Sequence, residues 1–306
     1  MIQNLRARAR RIASRGYRRL GQWGDRVFGV ELDPGPTPVR FTAPPWEPLP
    51  DPASTDARVV CNICRWTGDG FEGGQHCELS QCPGCGSNGR DRFLHWSFTQ
   101  RTPLHPALRI IECSPRLGAE YRAAMATWFF YRTSDYDLRA HQGNLQLDLQ
   151  AIDLPDASLD VMLCAHVLEH VPDTDKALAE LRRVIAPGGH LILQVPVLQS
   201  RTAPPTQPEF HADHTPVFWR FGFDLTAQLR NHGFQAELLC TEELHHAVVA
   251  GTNPWGTGAA EFDVPGMLAG AVAADLVVVA DRGQTDRLGL QPGYMYLTWD
   301  CAVPRG

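Results

Sequence analysis

Short apolar runs alternate with amphipathic segments between residues 108 and 280, and this alternation constrains the fold more than any other feature of the chain. It predicts strands over 108–112, 128–133, 145–149, 159–164, 190–197, 235–240 and 275–280. It predicts helices over 117–127, 174–186, 223–232 and 265–273. Strands that alternate with helices in this way are parallel and joined by right-handed crossovers. The sequence therefore predicts an α/β protein with a doubly wound sheet.

The N-terminal segment differs in charge from the rest of the chain. The first 20 residues contain seven arginines and no acidic residue, whereas the net charge of the whole chain is −6, which leaves −13 for the other 286 residues. Residues 2–27 also carry an apolar stripe at helical spacing that includes Leu20 and Trp23. We expect residues 1–30 to form a basic amphipathic helix that docks on a membrane surface, on a protein partner or on the acidic body of this chain.

A proline-rich segment follows this helix. Residues 31–58 contain eight prolines, which cannot propagate a helix or a central strand. We expect an extended linker or strap there, and Phe41 and Trp46 favour a strap that runs along a surface.

The sequence contains no signal for a membrane span or for secretion. No stretch reaches the roughly 18 consecutive apolar residues of a membrane-spanning helix. Arginines recur up to Arg19, where the apolar part of a signal peptide would lie, so we expect a cytoplasmic protein. Lys176 is the only lysine among 28 basic residues, a skew that favours a bacterium with a GC-rich genome.

Two closely spaced cysteine pairs indicate a metal site. Cys61 and Cys64 form one C-x2-C pair, Cys82 and Cys85 form another, and seventeen residues separate the pairs. Two such pairs are typical of a structural zinc ion, and a reducing compartment disfavours disulfides. A redox pair is the alternative, but such a pair would open a helix directly after a strand, which neither pair does. We therefore predict a small zinc-ribbon-like module over residues 59–101.

Two further donors lie between the cysteine pairs. His76 or Cys77 could replace one of the four zinc ligands, although a buried free cysteine is also common. The charge of the module is nearly balanced, which disfavours a nucleic acid partner because such modules usually carry a basic stripe.

Three motifs in the α/β region carry a family resemblance. They read LDL at 147–149, LPDASLDVMLCAHVLEHVPD at 154–173 and APGGHLIL at 186–193. These motifs closely resemble the middle motifs of class I S-adenosylmethionine-dependent methyltransferases, in a subgroup with a small N-terminal cysteine module. The resemblance implies a Rossmann-like sheet, mostly parallel with an antiparallel last strand, and S-adenosylmethionine as cofactor. We place this domain at residues 102–283 and a C-terminal extension at 284–306.

The resemblance also implies where the cofactor binds. In a doubly wound sheet, ligands lie beyond the carboxyl ends of the strands at the point where strand order reverses. The resemblance assigns the ribose hydroxyls to Asp135 and the adenine to Asp148 with Leu149. It places the methionine part and the acceptor beside Cys164 and His166.

The loop after the first strand departs from the family pattern. It begins at Glu112 and reads ECSPRLG, so that only Gly118 remains of the glycines that the family uses there. Glycines allow the backbone to approach the ligand closely. Either Ser114 and a rearranged turn bind the cofactor, or the cofactor site is impaired.

Histidines near the fourth and fifth strands are candidate bases. His166 and His170 lie three and one residues from Glu169, so a helical turn would bring the three together. His214 with Asp213 lies in a loop after the fifth strand, where a base or an acceptor ligand would be useful. The alternative for each histidine is a structural role in a turn or a surface loop.

These observations predict a methyltransferase that acts on a small-molecule or sugar-containing acceptor. Modification of ribosomal or transfer RNA is an alternative, but the acidic body disfavours it because RNA affinity depends largely on basic residues. A non-catalytic scaffold is a second alternative, motivated by the altered loop after Glu112.

Overall fold

The computed structural model describes residues 41–51, 57–73, 80–138, 143–197, 199–211, 214–252, 264–290 and 296–305. The predicted helix over 2–27 lies outside the described residues, as do His76, Cys77 and Asp213. The domain boundaries that involve these segments therefore stay predictions.

An eight-stranded sheet forms the centre of the protein. Its strands are β3 Arg109–Cys113, β4 Phe130–Asp135, β5 Leu145–Gln146, β6 Leu159–Ala165, β7 Ile185–Pro196, β10 Gln235–Thr241, β11 Leu276–Ala280 and β12 Tyr296–Ala302. Two short antiparallel pairs lie outside the sheet: β1 Val59–Val60 with β2 Thr67–Gly68, and β8 Glu209–Phe210 with β9 Pro216–Val217. The strand order in the sheet is β11-β10-β12-β7-β6-β3-β4-β5.

Seven α-helices connect these strands within the described residues. They are α1 Gly89–Arg101, α2 Ala119–Trp128, α3 Thr174–Val184, α4 Leu225–Asn231, α5 Glu242–Ala250, α6 Val264–Leu268 and α7 Arg282–Leu288. The helix α3 shows how the sequence specifies them, because Asp173 caps its N-terminus and Leu178 and Leu181 are buried on one face. None of the helices described combines the length and hydropathy needed to cross a bilayer.

The predicted fold class is confirmed. Strands β3 to β7 are parallel to one another, and the last strand of the chain, β12, is antiparallel to both β7 and β10. One predicted strand is shorter than expected, since β5 ends at Gln146 and the chain turns at Asp148, which forms a bridge with Ala151.

The C-terminal residues form part of the sheet, which differs from the predicted end of the fold at residue 283. The strand β12 lies between β7 and β10, and six of its seven residues are buried. Its buried Asp300 accepts hydrogen bonds from Arg101 Nε at 2.8 Å and from His190 Nδ1 at 2.7 Å. Residues 296–302 alternate polar with apolar side chains, so the sequence resembles a half-exposed strand although both faces are covered.

The cysteine module packs directly on the α/β fold. One buried cluster joins Cys61 to Phe98 of α1, Tyr121 of α2 and Tyr131 of β4. The strap contributes to this cluster through Phe41, whose ring meets Tyr121 edge-on at 6.1 Å. The module and the sheet therefore share a core.

Candidate functional site

The two cysteine pairs adopt the same turn. The amide of Arg65 donates to the carbonyl of Cys61 at 2.9 Å, and the amide of Gly86 donates to the carbonyl of Cys82 at 2.8 Å. Arg65 and Gly86 both have the left-handed conformation, with φ of +65° and +73°. Each turn therefore presents two thiols on one side, as a metal knuckle requires.

The four thiols converge on one point. Cys61 Sγ lies 3.8 Å from Cys85 Sγ, and Cys64 Sγ lies 3.6 Å from Cys82 Sγ. A tetrahedral zinc ion with Zn–S bonds of about 2.3 Å needs sulfur separations of about 3.8 Å, so the cluster fits the ion. Hydrogen bonds with Cys61, together with burial, raise the pKa of Cys64 and of Cys85 well above the usual range. A cation at the centre would remove this barrier to thiolate formation.

A buried arginine ties the module to the C-terminal part of the fold. Arg92 is fully buried and donates to the carbonyl of Ser87 at 2.7 Å and to the carbonyl of Leu288 at 3.0 Å. Its guanidinium carbon lies 3.7 Å from the ring centroid of Phe71. Burial lowers the pKa of Arg92, while the nearby cysteines oppose that shift.

A cleft opens where the strand order reverses, between β3 and β6. The space between the atoms there is about 410 Å³, a volume that includes open solvent. The strand β3 and the loop after it line the cleft with Glu112, Cys113 and Ser114. The opposite wall is α1, which contributes Asp91, Leu94 and His95. The predicted cysteine module therefore forms one wall of the cleft, because α1 belongs to residues 59–101.

Ser114 keeps the backbone conformation that glycine favours. Its φ is +46°, in the left-handed region that L-residues other than Asn and Asp rarely adopt. Its amide donates to the carbonyl of Ser134 at 2.8 Å, and its hydroxyl donates to Asp135 Oδ2 at 3.1 Å. The turn after β3 is thus strained but held by the end of β4, and it brings two predicted cofactor residues together.

The other predicted cofactor residues have different surroundings. Asp148 accepts hydrogen bonds from the amide and the side chain of Gln150, at 2.9 and 3.2 Å. Gly118 is the residue before α2, and a Cβ there would meet no atom within 4 Å. The side chains of Leu149 and Cys164 are packed in the core, so a ligand would meet only their backbone atoms.

Two buried groups in the cleft have opposite pKa shifts. Burial raises the pKa of Glu112 to about 7, although the Tyr131 hydroxyl donates to its carboxylate. Burial lowers the pKa of His95 to about 4. At neutral pH the His95 imidazole is therefore neutral, and Glu112 in the same cleft holds its proton to a higher pH than an ordinary glutamate.

The Glu112 shift predicts a pH-dependent effect of Glu112→Gln. The Glu112 carboxyl releases its proton at a pH near 4.5 in the unfolded chain and near 7 in the folded chain. Protonated Glu112 therefore contributes its full stabilisation of the folded state below pH 4.5, and this contribution is lost as the pH rises through 7. We subtract the unfolding free energy of the wild type from that of the variant at each pH. This difference should be about 3 kcal/mol more positive at about pH 8 than at about pH 4. Urea unfolding at both pH values measures the difference.

The matched control is Glu120→Gln, which removes an exposed carboxylate from α2. His95 contributes equally to the wild type and to both variants, so it cancels in the comparison. If the difference in unfolding free energy between Glu112→Gln and the wild type does not change with pH, the raised pKa of Glu112 is contradicted.

His166 lies at the end of β6 in a polar network. Its φ is +57°, and its Nε2 lies 3.0 Å from Gln194 Oε1 and 3.3 Å from Arg90 NH1. The amide nitrogen of Gln194 donates to Thr298 Oγ1 at 2.9 Å, so its Oε1 faces His166 Nε2. Gln194 Oε1 can only accept and Arg90 NH1 can only donate, so these two contacts of Nε2 favour opposite tautomers of His166. His166 Nδ1 lies 3.7 Å from Glu169 Oε1.

Glu169 and His170 follow directly in a short 3-10 helix, Leu168–His170. The predicted proximity of His166, Glu169 and His170 is therefore observed. The fourth member of the group was not a predicted site residue: the ring of His211 meets that of His170 edge-on at 4.5 Å. His214 lies at the tip of the same β8–β9 hairpin with φ of +65°, and its amide donates to the His211 carbonyl.

Several residues of the site carry no local sequence signal. Arg90, Gln194 and Tyr296 come from α1, β7 and β12, and the Arg90 guanidinium lies 4.7 Å from the Tyr296 ring centroid. Only the positions of Arg90 in the first turn of α1 and of Gln194 near a strand end could have suggested them. Tyr296 could not have been found, because its strand was placed outside the fold.

Known proteins match part of the chain. Residues 118–193, about a quarter of the chain, match the family model described as a methyltransferase domain, which confirms the predicted resemblance for these residues. An uncharacterized 37.1 kDa protein of a Streptomyces fradiae transposon is 44% identical over 55 residues, 18% of this chain and 16% of that protein. A probable methyltransferase of Aspergillus luteorubrus is 43% identical over 53 residues, 16% of this chain and 18% of that protein. The chain therefore matches less than a fifth of the length of either relative.

The chain is also similar to a solved structure, the 1,6-didemethyltoxoflavin-N1-methyltransferase of Burkholderia thailandensis with bound 1,6-didemethyltoxoflavin and S-adenosylhomocysteine. The similarity covers 71% of this chain and 78% of that one, with 10% identity and a TM-score of 0.40.

Proposed function

We propose that this chain, whose residues 118–193 match the methyltransferase-domain family, is an S-adenosylmethionine-dependent methyltransferase. The observation that carries the proposal is where the matched segment lies in the fold. It supplies Asp135, Asp148 and His166, and it borders the cleft at which the strand order reverses. This edge of a doubly wound sheet is where such folds bind their ligands.

The residues at the cleft fit the proposed cofactor. Asp135 and Asp148 provide carboxylates at the ends of successive strands, as the ribose hydroxyls and the adenine amino group require. The left-handed turn at Ser114 supports binding rather than an impaired site, because the backbone keeps a conformation that glycine would otherwise supply. S-adenosylmethionine, when bound, supplies a methyl group on a positively charged sulfur.

The protein's own part in the reaction would be positioning. Methyl transfer needs an acceptor held in line with the sulfur–methyl bond, and a base only where the acceptor must lose a proton. His166 is the candidate base at the end of β6, and the nearby Glu169 carboxylate would stabilise its protonated form. His170 and His214 remain candidates on the adjoining segments.

The surroundings of the cleft favour a small-molecule acceptor, which includes a sugar-containing one. The cleft is closed on one side by α1 and contains Asp91 and Glu112 as well as Arg116. Arg116 pairs with Asp91 at 3.3 Å, so this wall presents no excess of positive charge. RNA would require a basic surface to neutralise phosphates.

The four cysteines would hold a structural zinc ion. Cys61, Cys64, Cys82 and Cys85 use all four tetrahedral positions, which leaves none for a substrate. The ion would stabilise the module that forms one wall of the cleft.

Binding of S-adenosylhomocysteine to the zinc-loaded protein tests the proposed function. We expect Asp148→Ala to weaken binding at least about tenfold, because a buried hydrogen bond to a charged group contributes roughly 1.5–3 kcal/mol. Isothermal titration calorimetry measures the dissociation constant. The matched control is Asp175→Ala on α3, whose side chain is 88% exposed and does not line the cleft.

No binding by the wild type would refute the cofactor assignment. Equal dissociation constants for Asp148→Ala and Asp175→Ala would refute the role of Asp148. Cofactor binding without a methylated product across candidate acceptors would favour the scaffold alternative.

A further inference from the structure

A second group of metal-ligand side chains lies where the 3-10 helix meets the β8–β9 hairpin. The ligand atoms of Glu169, His170 and His211 all lie within 4.8 Å of one another. These residues are distinct from the four cysteines, and the proposed methyl transfer does not require them to bind a metal.

Glu169 is the unusual member of this group. The residue is 1% exposed, and within the described part of the chain neither carboxylate oxygen has a hydrogen-bond partner. The nearest basic atoms are His166 Nδ1 at 3.7 Å and His170 Nε2 at 3.9 Å, both beyond hydrogen-bonding distance. A buried carboxylate is costly unless a positive charge or hydrogen-bond donors compensate it, and burial accordingly raises the pKa of Glu169.

His170 presents a free lone pair toward Glu169. Its Nδ1 lies 2.7 Å from the carbonyl oxygen of Pro216, and since a carbonyl only accepts, Nδ1 carries the hydrogen. The neutral ring therefore has its lone pair on Nε2, the atom that faces Glu169. A metal-binding histidine is commonly oriented in this way, with the second ring nitrogen bound to a backbone carbonyl.

The fold holds the hairpin against the 3-10 helix. The amide of Phe218 donates to the carbonyl of Glu169 at 2.8 Å, and Trp219 Nε1 donates to the carbonyl of Pro172 at 3.1 Å. Within the hairpin, the amide of His211 donates to the carbonyl of Thr215 at 2.9 Å. The position of His211 beside His170 is thus set by backbone contacts.

We propose that Glu169, His170 and His211 form a binding site for a divalent transition-metal ion. Two imidazoles and one carboxylate suit Zn²⁺, Co²⁺ or Fe²⁺ and suit Mg²⁺ or Ca²⁺ poorly. Bonds of about 2.1 Å need ligand separations of about 3.4 Å, so the three ligand atoms must approach by up to about 1.4 Å. Because the His211 side chain is exposed, rotation of its ring would provide part of this movement.

Three protein ligands leave at least one coordination position open. That position would take a water molecule or an oxygen atom of the methyl acceptor, a consequence that rests on the proposed function. It favours acceptors with a hydroxyl or carboxylate oxygen close to the methylated atom.

Cobalt binding to the zinc-loaded full-length protein tests the site. We expect the wild type to retain its zinc and to bind one further equivalent of Co²⁺, measured by elemental analysis after equilibrium dialysis. The visible spectrum should lack the sulfur-to-cobalt charge-transfer band that cobalt bound by cysteines would give. We expect Glu169→Gln and His211→Ala to weaken Co²⁺ binding by about tenfold or more.

His246→Ala is the matched control, because it removes an exposed histidine from α5 outside the cluster. His211 is exposed, so His211→Ala keeps the test valid even where Glu169→Gln fails to fold. Loss of the second equivalent in both cluster variants but not in the control supports the site.

Three results would overturn the proposal: no second equivalent in the wild type, a second equivalent that survives His211→Ala, or cobalt uptake that only displaces zinc. S-adenosylhomocysteine binding is measured on the same samples. Cobalt bound by the cluster without any cofactor binding would count against the proposed function and leave the metal site standing.

Discussion

Cys61→Ser is expected to lose the zinc ion, several kcal/mol of stability and the binding of S-adenosylhomocysteine together. Zinc binding contributes about 10–16 kcal/mol to the folding of small zinc modules, and the loss here is bounded by the stability of the whole chain. The effect should reach the cleft because the cysteine cluster shares a core with Tyr121 and Tyr131, which flank Glu112. Elemental analysis, urea unfolding and calorimetry measure the three losses.

Cys240→Ala is the control for this experiment. Cys240 is a buried cysteine of β10 outside the cluster, and its thiol donates to the Val277 carbonyl at 3.6 Å. We expect the control to keep one zinc ion and its affinity for S-adenosylhomocysteine, with a stability loss of about 1 kcal/mol. A Cys61→Ser protein with unchanged stability and zinc content would contradict the assigned site. Restoration of cofactor binding by Zn²⁺ added to chelated wild type would support it.

The elements that the sequence predicted most accurately are those whose local residue pattern agrees with their burial in the structure. The helix α3 has a capping aspartate and an apolar face, and it begins at the predicted residue 174 and ends two residues before the predicted end. The two C-x2-C pairs need only one turn each to present their thiols, and the structure brings all four together. Both features depend on residues that are close in sequence.

Contacts between distant segments could not be predicted in the same way. His211 was no more prominent in the sequence than His214, and only the β8–β9 register places its ring against His170. In the sequence, Ser114 stands in the loop where the family has glycines, which suggested an impaired cofactor site. In the structure, Ser114 donates two hydrogen bonds to the end of β4, and these hold it in the conformation that glycine would adopt. One of the two acceptors is the side chain of Asp135, which is 21 residues away in sequence, so the local sequence could not show this contact.

The largest difference concerns the end of the fold, and Trp299→Ala tests it. Trp299 is 0% exposed at the centre of β12, and its indole nitrogen donates to Thr226 Oγ1 at 2.9 Å. The substitution should lower the free energy of unfolding by about 3–5 kcal/mol, since it leaves a large cavity. It also leaves the Thr226 hydroxyl without its donor. The matched control is Trp46→Ala on the strap, where the ring is 37% exposed and we expect a loss of about 1 kcal/mol or less.

A chain that ends at residue 283 tests the same point more severely. Without β12, both β7 and β10 lose a row of backbone hydrogen bonds in the middle of the sheet, where no water replaces them. Arg101 and His190 also lose the carboxylate of Asp300. We expect this protein to show no cooperative urea transition. A cooperative transition with the slope of the full chain would mean that the sheet closes without β12, and that the boundary at residue 283 is a real domain end.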